Sequence, residues 1–236
     1  MSIENIFKWF SCLRNCIGVT ILYVFLLGCG AEQDDNDDLL VRLSQIQFAD
    51  PELQSCIENS GFSYENEVVT LTCANISNLA GMEKLTALES LTLEEPRASN
   101  LNLSPASQIK SLYILQGSPS SLDLSALQNL EELHVYGASI IAIDLQENKK
   151  LNFLELASTS VATLNLQNNP KLSSLILYEN AIRVVDFPAT LNLQALNLFE
   201  PQMTSIQFPE NTQCSVIRNV VEAFPDTASY VQSSCF

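Results

Sequence analysis

The chain's single histidine, His134, lies two places from Glu132 and 21 from Glu155. An imidazole beside a carboxylate can act as a general base. General-base chemistry also needs a nucleophile or a polarising group, and the sequence contains no GxSxG turn, phosphate-binding glycine loop or HExxH pair. A lone strand histidine is more often a surface contact, so an enzyme is the least supported class and no catalytic residue is assigned. Asn102, Asp123, Asp144, Asn165, Asp186 and Gln207 form a second candidate set, evenly spaced along the chain. Stacked carboxylates would suit calcium, which takes several oxygen ligands. The glycine-rich loops that accompany such sites are missing, which favours a solvated row bonded to its own turns. Cys56, Cys73, Cys214 and Cys235 lack CxxC spacing and lie far in sequence from His134, which disfavours zinc. No metal and no cofactor is expected.

These residues need a scaffold, and composition bounds it. Of 236 residues, 47% are apolar and 16% charged, which fits a folded domain with appendages. The net charge of −16 disfavours attraction to phosphate backbones, so nucleic acid is excluded as a partner. Residues 1–28 read as an export signal: Lys8 and Arg14 flank an apolar run from Ile17 to Leu27. The run is short of the roughly 20 residues that a membrane span needs. Its ending, Leu26, Leu27, Gly28, Cys29, resembles a bacterial lipobox, and the resemblance implies that Cys29 becomes the lipidated N-terminus. An ordinary secretory signal cleaved nearby is the alternative. Leu27 departs from the family's preference for a small residue. Gly30 after the cysteine implies, by the family's sorting rule, an outer-membrane lipoprotein facing either the periplasm or the surface. The acidic stretch AEQDDNDD, residues 31–38, reads as a tether within a linker covering residues 29–47.

Cys12 and Cys16 leave with such a signal and Cys29 carries lipid, leaving four of the seven cysteines. They fall in two pairs at opposite ends of the regular region, and an exported protein meets an oxidising environment. Cys56 is therefore expected to join Cys73, and Cys214 to join Cys235.

The regular region is a repeat. Leu88, Ile109, Leu130, Leu151, Leu172 and Leu193 recur at a constant step, each 21 further along than the last. Each is followed at +3 and +5 by further apolar residues, as in Leu151, Leu154 and Leu156, and later by a second doublet such as Leu164 and Leu166. A fixed spacing of this size signals a solenoid whose coils bury their apolar edges against one another. The LxxLxL core resembles the leucine-rich repeat family, and stretches such as TLNLQNNPK, residues 163–171, resemble bacterial internalin-type repeats. The resemblance implies a curved parallel β-sheet on the concave face, with short irregular or 3-10 segments on the convex face. Repeats occupy residues 68–213, opening with a variant copy that turns Leu71, Ile76, Leu79, Met82 and Leu85 inward.

The family usually carries an asparagine three residues beyond LxL. Here those positions are Pro96, Gly117, Ala138, Thr159, Asn180 and Pro201, so irregular turns are expected in place of a full asparagine ladder. The ends need caps. Residues 48–67 form the first, with a short helix over residues 50–61 in which Asp50 is the N-cap, Pro51 lies in the first turn and Gly61 follows the end. Residues 214–236 form the second, helical over residues 216–224.

Between inward leucines, the alternating residues of each strand face outward. They fall in three columns: Ser90, Ser111, Glu132, Phe153, Ser174 and Ala195; Thr92, Tyr113, His134, Glu155, Ile176 and Asn197; Glu94, Leu115, Tyr136, Ala157, Tyr178 and Phe199. Tyr113, Leu115, His134, Tyr136, Phe153, Glu155, Ile176, Tyr178 and Phe199 are the candidate contact residues, because rings offer large area at little entropic cost. Strand preference alone would also put aromatics there. The sequence thus points to a monomeric, noncatalytic, lipid-anchored binding module of a bacterial envelope, with a protein as partner or else a glycan. A structural or adhesive envelope component is the alternative.

Overall fold

A computed structural model describes residues 40–187, 193–200, 203 and 206, and the backbone of 205, 207 and 231–232. The export signal, Cys29, the acidic tether, Cys214, Cys235 and the helix expected over residues 216–224 all lie outside the described residues.

The described chain winds as a solenoid. Each coil contributes one five-residue strand: Thr70–Ala74, Ser90–Glu94, Ser111–Leu115, Glu132–Tyr136, Phe153–Ala157, Ser174–Tyr178 and Ala195–Phe199. They form one seven-stranded parallel sheet in chain order. From Ser90 onward the register follows the sequence repeat, as in Leu112 opposite Leu133 and Leu154 opposite Leu175. The first step, Thr70 opposite Ser90, is one residue shorter, which is why the opening copy reads as a variant.

Within the central strands the side chains alternate between buried and half-buried. The inward set is the LxxLxL framework, and Leu91, Leu112, Leu133, Leu154 and Leu175 are fully buried. Leu196, in the last described coil, and Ile143 are only partly covered. The variant copy's Leu71, Ile76, Leu79, Met82 and Leu85 are all buried.

The second doublets form short parallel strands on the other side, in two groups. Asn100–Asn102, Ser121–Asp123 and Ala142–Ile143 make one; Thr163–Asn165, Val184–Asp186, Ser205–Gln207 and Val231–Gln232 make the other. The chain's tail therefore adds a parallel strand beside Ile206. Four residues of the polar row beside these doublets close turns. The side-chain oxygens of Asn102, Asp123, Asp144 and Asn165 each accept the backbone N–H two residues on, at 2.9 to 3.1 Å, which is the Asx-turn geometry.

The missing asparagines after LxL are replaced by backbone geometry. Asn75, Glu95, Gln116, Gly137, Ser158 and Glu179, each immediately after a strand, all have positive φ. Their N–H groups donate to the last strand carbonyl of the next coil at 2.6 to 2.8 Å, as Ser158 does to Tyr178. One left-handed residue per coil thus extends the ladder past the strand end. Beyond it, the Ser118 N–H donates to the Pro96 carbonyl and the Arg97 N–H to that of Ile76. Gly117, with φ +95°, sits so close that a Cβ would lie 2.7 Å from Pro96.

An asparagine ladder does exist, elsewhere in the coil. Asn148 and Asn169 are fully buried just before their strands. The Asn148 Nδ2 donates to the carbonyls of Leu124 and Leu127, and the Asn169 Nδ2 to those of Leu145 and Asn148, at 2.9 to 3.0 Å. Gln108 reaches the equivalent carbonyls of Met82 and Leu85 with its longer arm. Asn180 bonds as its position implies, donating to the Leu156 carbonyl while its Oδ1 accepts from the Thr159 N–H and hydroxyl.

The N-terminal cap contains the helix Pro51–Glu58, which has Asp50 as N-cap and ends before Gly61. Helix and first coil share one anchor. Asp50 Oδ1 accepts from the N–H groups of Glu52 and Leu53, and its Oδ2 from those of Ser77 and Asn78 at 2.7 and 2.9 Å. The expected disulfide between Cys56 and Cys73 joins the same helix to the first strand, with Cα atoms 5.7 Å apart.

Candidate binding face

The solvent side of the seven-stranded sheet carries the three outward columns, and parallel pairing in register sets side chains of one column side by side. At the centre, His134 is sandwiched. Tyr113 stacks on one face with centroids 4.3 Å apart and planes 9° from parallel, and Phe153 lies on the other side at 4.7 Å. Tyr136, two residues along the same strand, is 6.4 Å away.

Two carboxylates hold this stack. The Glu155 Oε2 lies 2.9 Å from the His134 Nδ1, and Glu155 also accepts the Tyr136 hydroxyl. Glu132 accepts the Ser111 hydroxyl at 3.3 Å and that of Tyr113. Burial, together with the hydrogen bond and charge of Glu155, pushes the Tyr136 hydroxyl well above the ordinary phenol range. Burial, then the charge of Glu132, moves Tyr113 the same way. Both phenols therefore stay protonated and act as donors.

A second aromatic pair stands two strands further on. Tyr178 and Phe199 stack at 5.0 Å, and both are exposed, at 45% and 40%. Between the clusters the columns carry Ala157, Ser174 and Ile176. Leu115 sits beside Tyr136 in register, and Ile176 beside Glu155.

All nine candidate residues thus lie on one face, though not as a uniformly exposed patch. Tyr113, Tyr136 and Phe153 are half-buried because each covers a neighbour, whereas Tyr178 and Phe199, stacked on one another, are exposed. Glu132 was legible as an outward column residue; that it holds Tyr113 was not. Chemically, the His134–Glu155 pair is enclosed. Its imidazole has a ring on each side and its side chain is only 12% exposed. Among the described residues no serine, threonine or cysteine side chain hydrogen-bonds it, since the Ser111 hydroxyl goes to Glu132.

No protein-family model matches the chain, and no curated protein matches it. Solved structures do resemble it. The functional domain of InlJ from Listeria monocytogenes aligns over 61% of this chain and 31% of that one, with TM-score 0.48 and 20% identity. A leucine-rich-repeat protein of Leptospira interrogans aligns over 57% of this chain and 43% of its own, with TM-score 0.44 and 22% identity. An internalin, InlF, of Listeria monocytogenes aligns over 61% and 48%, with TM-score 0.42 and 18% identity. The match spans less than half the length of each of these structures. What shows the fold is the chain's own coil, in which the five-residue strand returns in register with each repeat from Ser90 onward and the short second strands pair in two groups: the fold is a leucine-rich-repeat solenoid.

Proposed function

We propose that the protein is a noncatalytic binding module of a bacterial envelope, anchored by lipid on Cys29, and that it holds a protein partner on the open face of its seven-stranded sheet. The observation that carries this reading is the composition of that face. Two buttressed aromatic clusters share it with Glu94, Glu132 and Glu155, and none of its outward positions is Lys or Arg. The exposed rings of Tyr178 and Phe199 support the reading further, because contiguous exposed apolar surface marks interaction sites. The lipobox-like ending before Cys29 and the acidic stretch after it support placement at a membrane surface with the repeats held off it.

The test is a double replacement of Tyr136 and Tyr178 by Ala in the full chain. Capture of a partner from envelope extracts should be lost while the thermal midpoint moves by no more than a few degrees. Capture that survives would remove the sheet face and leave an adhesive or structural role through another surface. Metabolic labelling with a palmitate analogue should mark the wild type and not Cys29→Ser.

A further inference from the structure

The third outward column holds a gap. Tyr136, Ala157 and Tyr178 are consecutive register partners on adjacent strands, so two large rings flank a methyl group. Strands lie about 4.8 Å apart, so the Cα atoms of the two tyrosines, two strands apart, are separated by about 9.6 Å across Ala157. One flat group stacked between two rings needs about 7 Å, at roughly 3.5 Å per contact, and two flat groups need about 10.5 Å. That backbone spacing exceeds what one planar group needs and falls short of what two need.

Both walls are braced. Phe199 stacks behind Tyr178, and the Tyr136 hydroxyl is tied to Glu155. Glu155 borders the slot from the neighbouring column and still has acceptor capacity, because a carboxylate offers about four lone-pair sites and the His134 Nδ1 and the Tyr136 hydroxyl engage two of them. Charge selects the occupant. No Lys or Arg lies among the outward residues of the sheet, whereas Glu94, Glu132 and Glu155 do, and the whole chain carries −16.

We infer that the slot between Tyr136 and Tyr178, floored by Ala157 and edged by Glu155, receives an arginine side chain of the protein partner. A guanidinium is flat, permanently charged and weakly hydrated, so it stacks on ring faces while its N–H fork meets a carboxylate. A lysine ammonium supplies the charge without the flat surface. The inference rests on the sheet face being the binding surface.

The probes are acetylated hexa-arginine and hexa-lysine peptides, of equal charge, titrated into the full chain in detergent. The wild type should bind hexa-arginine at least about tenfold more tightly than hexa-lysine. Ala157→Phe fills the slot without changing the charge, so it should erase that preference and leave hexa-lysine affinity unaltered. Equal affinities in the wild type, or a preference that survives Ala157→Phe, overturns the slot. Glu155→Gln provides an independent check should Ala157→Phe lose its thermal transition, and here too the arginine preference must fall. The two readings fail separately. Partner capture lost in Tyr178→Ala but retained in Ala157→Phe leaves the face as the binding surface and overturns the arginine slot; capture retained in both overturns both.

Discussion

Asp50 shows how much one side chain can do in this fold. Its burial alone would push the carboxyl up, but N–H groups from Ser77, Leu53, Glu52 and Asn78 outweigh that and hold it below its ordinary range. A depressed folded pKa means that the unfolded chain binds the proton more tightly, so stability from this group is complete above about pH 4 and falls away as the pH drops through the folded value. Asp50→Asn keeps an acceptor for one side of the clamp and turns an amide donor toward the other pair of N–H groups. It should cost about 2 to 3 kcal/mol at pH 7 and flatten the acid limb of a urea-midpoint against pH curve. A second pair of residues isolates backbone conformation. Gly137 and Ser158 occupy the same left-handed position one coil apart, with a Cβ at Gly137 meeting nothing nearer than 3.4 Å. Ser158→Gly relieves a left-handed cost of about 1 to 2 kcal/mol against a glycine entropy of about 0.5 to 1. It should therefore raise stability by roughly 0.5 to 1 kcal/mol, and Gly137→Ser should lower it by a similar amount, both read by chemical denaturation.

Within the coil, the buried turn before each strand sets the stacking distance, and the side chains of Asn148 and Asn169 tie it to its neighbour. Asn169→Ala removes two buried hydrogen bonds, but the Leu145 and Asn148 carbonyls keep their turn partners, the N–H groups of Asn148 and Leu151. The Asn169 Oδ1, buried with no partner, also disappears. The loss should therefore be about 1 to 2 kcal/mol, at the low end for a doubly bonded buried amide, and Asn169→Asp should cost more because it buries a charge. Denaturant midpoints of the two variants order these effects. This ladder marks a limit of sequence reading. The inward leucines, the outward columns and the Asp50 cap follow from apolar spacing and capping chemistry, which act locally, and the Cys56–Cys73 pair follows from the number and placement of the cysteines. Asn148 and Asn169 were visible as amides one repeat apart, opening NKKL and NPKL. In an earlier coil Gln108 does the work from two positions later, so no single column announces the ladder. The left-handed residues were still less legible, because Glu95, Gln116, Ser158 and Glu179 are not types that seek positive φ. The ladder beyond the strand imposes that conformation. On the open face, residue types predicted rings outward, but their mutual stacking around His134 depends on rotamers that spacing does not encode.

Across the whole molecule, each coil touches its neighbours and little else, so stability passes along the chain as a sum of coil and interface contributions. The N-terminal end is closed by three devices on one helix: the Asp50 clamp, the Cys56–Cys73 bond, and Leu53 and Ile57 buried against the first coil. The disulfide closes a sequence separation of 17 residues, worth about 3 kcal/mol in the chain-entropy model. If the molecule behaved as a single cooperative block, replacing both cysteines by Ser would lower protection from hydrogen exchange everywhere by that amount. In a nearest-neighbour array the loss stays near the end that lost its staple. Amides of Thr70–Ala74 and Ser90–Glu94 should then exchange faster in Cys56→Ser, Cys73→Ser by a factor approaching 10², while those of Phe153–Ala157 and Ser174–Tyr178 keep wild-type rates. A uniform acceleration along all seven strands would show that the coils unfold together and that the open sheet face shares the fate of its cap. Confined loss would mean that the Tyr136 to Tyr178 surface is insulated from damage at the N-terminal end, three to five strands away.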